Sequence, residues 1–363
     1  MRGAGGAPLW PGRTWRTVLL CVVGAGCTLG LRAQDTSATH TARATVLLMG
    51  SRFDFGAYAK TQPAAEAAVA AGIAEVERIE DLISSWRPTS QTSVVNAAAG
   101  SGTPVPVDRE LLELIRRGQR VSALTDGAFD LTAGGLVGLY RFGGQDTTLP
   151  SAAILAEAVQ RVDYRAIEVD VEASTVRLTR PGMRIGFGAI GKGYAANRAL
   201  AIMRAVPDVS GAVANASGDM ITWGTDDAGA GFDIGIADPR DASRVIGRLR
   251  LTDVAVVTSG NYERYFTAGG KRYAHILDPR TGLPATGVTS ATVVCPDAEL
   301  ADALATALFV LGTEAGIRLV DGLRDVEALL IDDQGRLYRS AGLNLQTGLD
   351  VHATDDAEAP NAH

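Results

Sequence analysis

The apolar patterns of this chain predict strands and helices that alternate irregularly, in pairs as often as singly. A doubly wound sheet needs regular strand–helix–strand units, so we expect an α+β fold with no Rossmann unit. One body over 44–345 would hold mixed, mostly antiparallel sheets flanked by helices. Apolar spacing of three and four residues predicts helices at 64–86, 108–124, 151–161, 190–206 and 298–311. Strands are predicted at 44–48, 53–59, 166–169, 175–178, 211–216, 232–236, 248–257, 271–274, 288–295, 326–331 and 337–340.

The N-terminal residues resemble a targeting segment rather than part of the fold. Arginines precede an apolar run at 17–31, and Leu31-Arg32-Ala33 offers the small-residue pattern that a signal peptidase cleaves. We therefore expect a signal peptide at 1–33, a polar spacer at 34–43 and a disordered polar tail at 346–363. Export would place the protein in the periplasm or on the outer face of a bacterial inner membrane.

Charge and cysteine content exclude some classes of protein. The net charge is −7, and lysines and arginines form no basic stripe, which argues against nucleic-acid binding. Removal of the signal peptide leaves Cys295 as the only cysteine, so neither an internal disulfide nor a cysteine metal site is expected. Cys27 is a secondary candidate for a lipid anchor, because the residue three positions upstream is not the usual Leu or Val.

A glycine-rich segment, GFGAIGKG at 186–193, matches two nucleotide-binding patterns incompletely. The phosphate loop needs Ser or Thr where Gly193 stands. The dinucleotide pattern needs a parallel unit, whereas the turn at 180–182 indicates the return arm of a hairpin. Backbone N–H groups at a helix start still favour an anion, and Lys192 adds a positive charge. A pyrophosphate site and a turn needed only for tight packing are both consistent with this pattern.

Asp302 and Thr306 lie four residues apart in an apolar helix, so they share one face. An aspartate in such a strip is paired, caps a helix or coordinates a metal. A carboxylate, a hydroxyl and backbone carbonyls suit magnesium. Because acidic residues already crowd this helix start, Asp302 could instead serve the helix dipole.

His275 is the only histidine within the central part of the chain. It follows the strand predicted at 271–274 and precedes the turn signal Asp278-Pro279, so a loop can present it to a substrate. Its imidazole is the one side chain there that titrates near neutral pH without a large shift. A half-buried histidine bonded to a carbonyl is the competing interpretation.

Together these segments resemble the ApbE family of flavin transferases. The matching blocks are MGS at 49–51, IED at 79–81 with SSWRP at 84–88, TDGAFDLT at 125–132, GAIGKGY at 188–194, SGD at 217–219, TSG at 258–260, HILDPRTG at 275–282 and DALATA at 302–307. Ordered blocks spread over 46–330 are far more specific than any single motif. The chain departs from the family pattern at Trp86, Gly135, Gly186 and Asn197, where the family commonly has Tyr, Pro, Asp and Asp.

The resemblance implies a role for each matching residue. His275 would be the catalytic base. The implied magnesium ligands are Ala189, Asp302, Ala305 and Thr306, the two alanines through their carbonyls. The implied FAD contacts are Met49, Trp86, Ala128, Phe129, Asp130, Gly186, Lys192, Ser259 and Ile276.

The resemblance also implies a reaction, the magnesium-dependent transfer of FMN from FAD to a protein threonine with release of AMP. The acceptor would be an envelope protein, such as a redox or electron-transfer subunit. Two other functions stay open, since the departures at Trp86 and Gly186 touch the expected nucleotide site. One is a magnesium-dependent FAD pyrophosphatase that gives FMN and AMP, and the other is a periplasmic FAD-binding protein without catalysis.

Overall fold

The computed structural model describes residues 39–142, 148–262, 265–268 and 271–344. The predicted signal peptide (1–33), the lipid-anchor candidate Cys27 and the predicted tail (346–363) lie outside the described residues. Most of the predicted spacer (34–43) lies outside them as well. Its last four residues belong to the first strand, which begins at His40.

The described part of the chain alternates strands and helices in the irregular way that the sequence predicts. The helices are α1 (Gln62–Ile83), α2 (Gln91–Ala97), α3 (Arg109–Leu124), α4 (Gly134–Val137), α5 (Ala152–Val159), α6 (Gly191–Arg204), α7 (Ala298–Leu311) and α8 (Thr313–Asp321), with 3₁₀ turns at Leu131–Ala133 and Tyr164–Ala166. The strands are β1 (His40–Leu48), β2 (Ser51–Ala59), β3 (Val105–Pro106), β4 (Ile167–Asp170), β5 (Thr175–Leu178), β6 (Val209–Ala216), β7 (Asp219–Gly224), β8 (Phe232–Asp238), β9 (Asp241–Leu251), β10 (Ala255–Gly260), β11 (Tyr265–Ala268), β12 (Lys271–Ala274), β13 (Val288–Cys295), β14 (Glu327–Asp332) and β15 (Leu337–Arg339).

Among the described residues, eight strands form the main sheet in the order β1-β2-β6-β7-β10-β13-β14-β15. Each neighbouring pair in this sheet is antiparallel. The smaller sheets β3-β5-β4, β8-β9 and β11-β12 are antiparallel too. The prediction of an α+β fold without a Rossmann unit is therefore confirmed.

Successive side chains of each strand point to opposite faces of the main sheet. Apolar side chains occur on both faces, so both faces are buried. One face packs under α1, α6 and α7 in the largest apolar cluster, to which Ala214, Val293 and Leu330 belong. The opposite face packs against the β8–β9 hairpin, with Val294 and Leu329 on that side. A separate apolar cluster of Leu136, Tyr140, Leu155, Ala158, Phe266 and Leu277 joins α4 and α5 to the segment after β12.

Helix α1 ends three residues earlier than predicted, and the cause is Ser84. The Ser84 hydroxyl oxygen accepts hydrogen bonds from the backbone N–H groups of Trp86 and Arg87, both at 3.2 Å. Ser84 itself is extended, with φ −60° and ψ 124°. A serine side chain of this kind competes with the helical ladder. Trp86 consequently lies on a loop rather than on the helix, and Pro88 is not what stops α1.

The strand predicted at 248–257 is two strands that belong to different sheets. β9 ends at Leu251 in the hairpin with β8, and β10 begins at Ala255 in the main sheet. Between them Asp253 adopts φ +57°, and its carboxylate accepts a hydrogen bond from the N–H of Gly224 at 3.2 Å. Apolar periodicity alone does not reveal this turn. The prediction also omitted α2, α4, α8, β3, β7 and β11.

The segment before α6 is not the hairpin arm that the sequence predicted, because residues 183–187 form no strand. The side chain of Asn96 takes the place of a neighbouring strand by bonding the backbone of Ile185. The N–H of Ile185 donates to Asn96 Oδ1 at 2.7 Å, and Asn96 Nδ2 donates to the Ile185 carbonyl at 3.0 Å. The N–H of Gly186 donates to the carbonyl of Leu131 at 2.9 Å. These bonds fix the approach to α6.

Within the described residues, no helix combines the length and the apolar character needed to cross a lipid bilayer.

Candidate active site

The start of α6 lies directly against α7, and Gly193 makes this contact possible. A Cβ on Gly193 would lie 2.0 Å from the carbonyl oxygen of Ala298 and 2.8 Å from the Cβ of Asp302. On the other side of the helix start, a Cβ on Gly191 would lie 2.9 Å from Cδ1 of Ile83. These two glycines are therefore required by packing, which was one of the two interpretations of the glycine motif.

The close packing brings the Asp302 carboxylate to the N-terminus of α6. Asp302 is 3% exposed, and its Oδ2 accepts a hydrogen bond from the N–H of Gly193 at 3.0 Å. The residue before the helix, Ile190, supplies no capping side chain, so Asp302 satisfies this helix start from α7. Asp302 thus caps a neighbouring helix rather than its own.

Burial raises the pKa of the Asp302 carboxyl group, while the positive charge of Lys192 and backbone hydrogen bonds from Gly193 and Lys192 oppose that rise. A buried carboxylate is stable only when such partners or a metal compensate its charge. The environment of Asp302 is therefore one in which a bound cation would gain a strong partner.

Lys192 is held by a second buried carboxylate, Asp219. Lys192 Nζ lies 2.5 Å from Asp219 Oδ2 in an ion pair. Asp219 is 1% exposed and begins β7, opposite Val257 of β10. Asp219 belongs to the family block at 217–219, but the sequence alone assigns it no role. The available signal was a carboxylate directly after the Ser217-Gly218 turn.

Two hydroxyl groups lie close together near this cluster. Ser259 Oγ of β10 is 3.5 Å from Thr306 Oγ1, and Thr306 stands one turn after Asp302 on α7. Ala305 is fully buried, and Ala189 is partly buried in the turn before α6. No group of three or more His, Cys, Asp or Glu side chains suited to a metal occurs among the described residues. One carboxylate, hydroxyls and carbonyls nonetheless fit a magnesium ion that takes its other oxygens from water or substrate.

Trp86 stands at the rim of a surface pocket and is 83% exposed. The pocket has a volume of about 260 Å³ and is lined by Ser85, Trp86, Gly134, Gly135, Val137, Gly138, Arg184 and Ile185. Arg184 is exposed in this lining and was not singled out from the sequence. An indole beside a glycine-rich floor offers a stacking surface for a flat ring.

The segment with Ala128, Phe129 and Asp130 precedes the 3₁₀ turn at Leu131–Ala133, and Gly134 of the pocket lining follows that turn. Ala128 and Phe129 are buried. Asp130 Oδ1 accepts hydrogen bonds from the N–H of Thr132 at 2.7 Å and from its hydroxyl at 2.6 Å, and Oδ2 accepts from the N–H of Tyr164 at 2.9 Å. Burial raises the pKa of Asp130, and these bonds oppose the rise. The carboxylate thus ties two turns together.

His275 and Ile276 enter a compact loop that closes on itself. The N–H of Ala285 donates to the carbonyl of Ile276 at 2.9 Å, and the N–H of Asp278 donates to the carbonyl of Leu283 at 2.8 Å. His275 is half-buried, and its ring meets Phe142 edge-on with centroids 6.3 Å apart. The structure therefore holds the imidazole on a well-defined loop, as the sequence predicted.

The predicted site residues fall into two groups. Lys192 is paired with Asp219 and acts on Asp302 through its backbone N–H and its charge. A hydroxyl contact joins Ser259 to Thr306. Met49 belongs to this group, because its Cε would lie 3.6 Å from a Cβ on Gly191. Met49 occupies a tight hairpin turn with φ +51°.

The second group lies on the loops around the pocket. Its members are Trp86, Ala128, Phe129, Asp130, Gly186, His275 and Ile276. One hydrogen bond joins two of these loops, from the N–H of Gly186 to the carbonyl of Leu131 at 2.9 Å. Asp126 lies close enough to Arg280 for its negative charge to contribute to the raised pKa of that guanidinium group.

Comparison with known proteins assigns this fold and site to a class. The model of the ApbE family matches residues 49–330. A FAD:protein FMN transferase of Klebsiella pneumoniae is 37% identical over 258 residues, covering 70% of this chain and 79% of that protein. Another, from Treponema pallidum, is 34% identical over 349 residues, covering 91% and 94%.

Solved structures agree. The ApbE protein of Thermotoga maritima superposes with a TM-score of 0.76 at 32% identity, covering 83% of this chain and 97% of its own. The flavin transferase ApbE of Vibrio cholerae gives a TM-score of 0.73 at 25% identity, covering 84% and 98%. This chain belongs to the ApbE family.

Proposed function

We propose that this protein is a FAD:protein FMN transferase that moves FMN from FAD to a threonine hydroxyl of an envelope protein and releases AMP, with magnesium required. The observation that carries the proposal is the junction of α6 and α7, where Lys192, Asp302 and two hydroxyl groups converge. The names of the relatives in the same family support the flavin transfer.

The metal would be held by Asp302, Thr306 and the carbonyls of Ala189 and Ala305. A bound magnesium ion would neutralise charge on the pyrophosphate oxygens. The protein's own part is to keep the Asp302 carboxylate buried and oriented by the Gly193 N–H, so that it does not need to be ordered when the ion arrives. Lys192 would add a positive charge for the anionic substrate.

The flavin nucleotide would extend from this junction toward the loops. Trp86 and the pocket beside it offer a flat apolar surface, and Ala128, Phe129 and Ile276 would add buried apolar side chains. Met49, Asp130, Gly186 and Ser259 would complete the contacts. Because the carboxylate of Asp130 is already bonded to Thr132 and Tyr164, its contact with FAD would come through the backbone.

His275 would act as the base. The threonine hydroxyl oxygen forms a bond to the phosphorus of the FMN half, and the bond from that phosphorus to the AMP oxygen breaks. The proton of the hydroxyl passes to the imidazole, and AMP leaves with the electron pair. Phosphoryl transfer of this kind depends mainly on positioning and charge stabilisation, which the fixed loop and the buried charges would supply.

We further propose that the mature protein lacks residues 1–33 and works outside the cytoplasm. Arginines before a short apolar run, followed by Leu31-Arg32-Ala33, support the proposal. N-terminal sequencing of the protein from a cell-envelope fraction tests it. A mature chain beginning near Gln34 is expected, and an intact Met1 in that fraction would contradict it.

Incubation with FAD, Mg²⁺ and a threonine-bearing envelope protein tests the reaction itself. A fluorescent acceptor band is expected together with an equal amount of AMP. The same acceptor with its threonine changed to valine is the control and should stay unlabelled. FMN and AMP free in solution would instead indicate a pyrophosphatase, and unchanged FAD would indicate a binding protein.

A further inference from the structure

Lys192 interacts with two buried carboxylates, those of Asp219 and Asp302. Its ammonium group is paired directly with Asp219, and its charge also acts on Asp302. Both carboxylates are almost fully buried. In such surroundings charges are weakly screened, so the choice of partner for one ammonium group matters more than it would at the surface.

The backbone fixes Asp219 firmly. The preceding Ser217 adopts φ +54° and Gly218 φ +104°, both in the left-handed region. The Ser217 hydroxyl accepts from the N–H of Arg52 at 3.1 Å and donates to its carbonyl at 3.0 Å. The N–H of Gly218 donates to Asn215 Oδ1 at 2.9 Å. A serine at positive φ is strained by roughly 1–2 kcal/mol, and these bonds hold it there. The backbone at Asp219 is therefore anchored independently of Lys192.

We infer that Asp219 is a positioning residue that keeps the Lys192 ammonium group off Asp302, so that the Asp302 carboxylate stays available to a divalent cation. The inference rests on the proposed metal site at Asp302. A lysine side chain is long and flexible, and Asp302 is the other buried carboxylate on which its charge acts. An ammonium group bound to Asp302 would compete with a cation for the same carboxylate oxygens.

A purely structural role for Asp219 makes a different prediction. If the ion pair only stabilised the junction, loss of Asp219 would lower the melting temperature, and loss of Lys192 would not reverse any effect on metal binding. If Asp219 restrains a competitor, removal of the competitor repairs metal binding. The double variant separates the two roles.

The test is the binding of Mn²⁺ alone to the full chain. Electron paramagnetic resonance of the free ion measures this binding. Asp219→Asn, which keeps the size of the side chain, is expected to raise the Kd for Mn²⁺ by roughly tenfold or more, as is usual for a residue that positions a metal ligand. Lys192→Met in the Asp219→Asn background is expected to return the Kd to the wild-type range. Arg198→Met removes a charge from the same helix away from this cluster, and it should leave the Kd unchanged.

Two results would overturn the inference. One is an unchanged Kd in Asp219→Asn, and the other is a double variant that binds Mn²⁺ as weakly as Asp219→Asn. Lys192→Met alone provides a test even if Asp219→Asn does not fold. It is expected to bind Mn²⁺ at least as tightly as the wild type. Weaker binding would contradict competition between Lys192 and the cation. Asp302→Ala separates this inference from the proposed function. If Mn²⁺ binds the wild type and Asp302→Ala alike, the metal site itself is wrong and the inference falls with it.

Discussion

Helix α6 takes part in two charge clusters that differ in burial and in balance. At its start, Lys192 lies among the buried carboxylates of Asp219 and Asp302. Two turns along, Arg198 joins a second cluster with Glu75 and Arg78 of α1 and Glu110 of α3. There Arg78 lies 2.9 Å from Glu75 and 2.8 Å from Glu110, and Arg198 lies 3.0 Å from Glu75.

The surroundings shift the carboxyl pKa values of the two clusters in opposite directions. The hydrogen bond from Arg78 is the largest cause that lowers the pKa values of Glu75 and Glu110. Burial is the largest cause that raises the pKa of Asp302. The outer cluster pairs its carboxylates with arginines and clamps three helices together. The inner cluster places more carboxylate than ammonium in a buried position, which is characteristic of a functional site.

The largest effect should follow from removing the inner carboxylate. Asp302→Ala is expected to abolish magnesium-dependent turnover of FAD, because the main ligand charge is lost. Thr306→Val should weaken turnover less, since it removes a neutral ligand. Titration of FAD turnover against magnesium concentration measures both, with Arg198→Met as the outer-cluster control. Unchanged turnover in Asp302→Ala would erase the functional difference between the clusters.

The next effect concerns His275, which lies outside both clusters. His275→Ala is expected to lower FMN transfer by roughly two to four orders of magnitude, the usual contribution of a positioned base. FAD affinity, measured by fluorescence quenching, should stay close to that of the wild type, because Lys192 and the pocket at Trp86 remain. A loss of FAD binding together with a lower melting temperature would show that His275 is a structural residue.

The sequence predicts some structural features of this molecule better than others. β13 and α7 match their predicted bounds, because long apolar runs with clear turn signals fix them. The pairing of Asp302 and Thr306 on one face followed from helical spacing. The capping of α6 by Asp302 did not, because it depends on how two distant helices pack.

Other features depended on single side chains. The Ser84 hydroxyl ends α1, and the Asn96 side chain takes the place of a strand partner for Ile185. Neither feature produces a periodic pattern in the sequence. Asp219 was visible only as part of a family block. Its role requires knowledge of which residues lie across the sheet, which a single sequence does not provide.

A smaller effect, on stability alone, should follow from breaking the outer cluster. Arg78→Met is expected to lower the free energy of unfolding by about 1 kcal/mol, a modest value because these side chains are partly exposed and screened by solvent. FAD turnover should remain near the wild-type rate. Urea unfolding and a turnover assay on the same preparation measure both quantities. A large loss of turnover with an unchanged stability would contradict the clamp role.

The same cluster predicts a pH dependence. Because the folded pKa values of Glu75 and Glu110 lie below the ordinary value of 4.5, their stabilising contribution is present above that pH. It is lost as pH falls through the lowered folded values. Urea midpoints measured from pH 7 downward should therefore fall more steeply in the wild type than in Arg78→Met. Parallel curves would show that these carboxylates do not contribute.

The smallest effect lies in the pocket beside Trp86. Gly138 has the helical angles φ −66° and ψ −13° and open space where a Cβ would stand. Gly138→Ala should therefore raise stability by up to about 1 kcal/mol, while a flat ring of FAD in the pocket would lose contact and affinity. Gly134→Ala is the matched control, because its Cβ would lie 3.0 Å from the Gly186 nitrogen and should destabilise the fold. Unchanged FAD affinity in Gly138→Ala would remove the pocket from the nucleotide site.

We propose that the inner cluster carries metal-dependent flavin transfer. Mass spectrometry of a threonine-bearing acceptor after incubation with FAD and Mg²⁺ tests this most directly, with wild type, Asp302→Ala and Arg198→Met compared side by side. Wild type and Arg198→Met are expected to add one FMN to the acceptor threonine, and Asp302→Ala is expected to add none. Labelling by Asp302→Ala at the wild-type rate would contradict it.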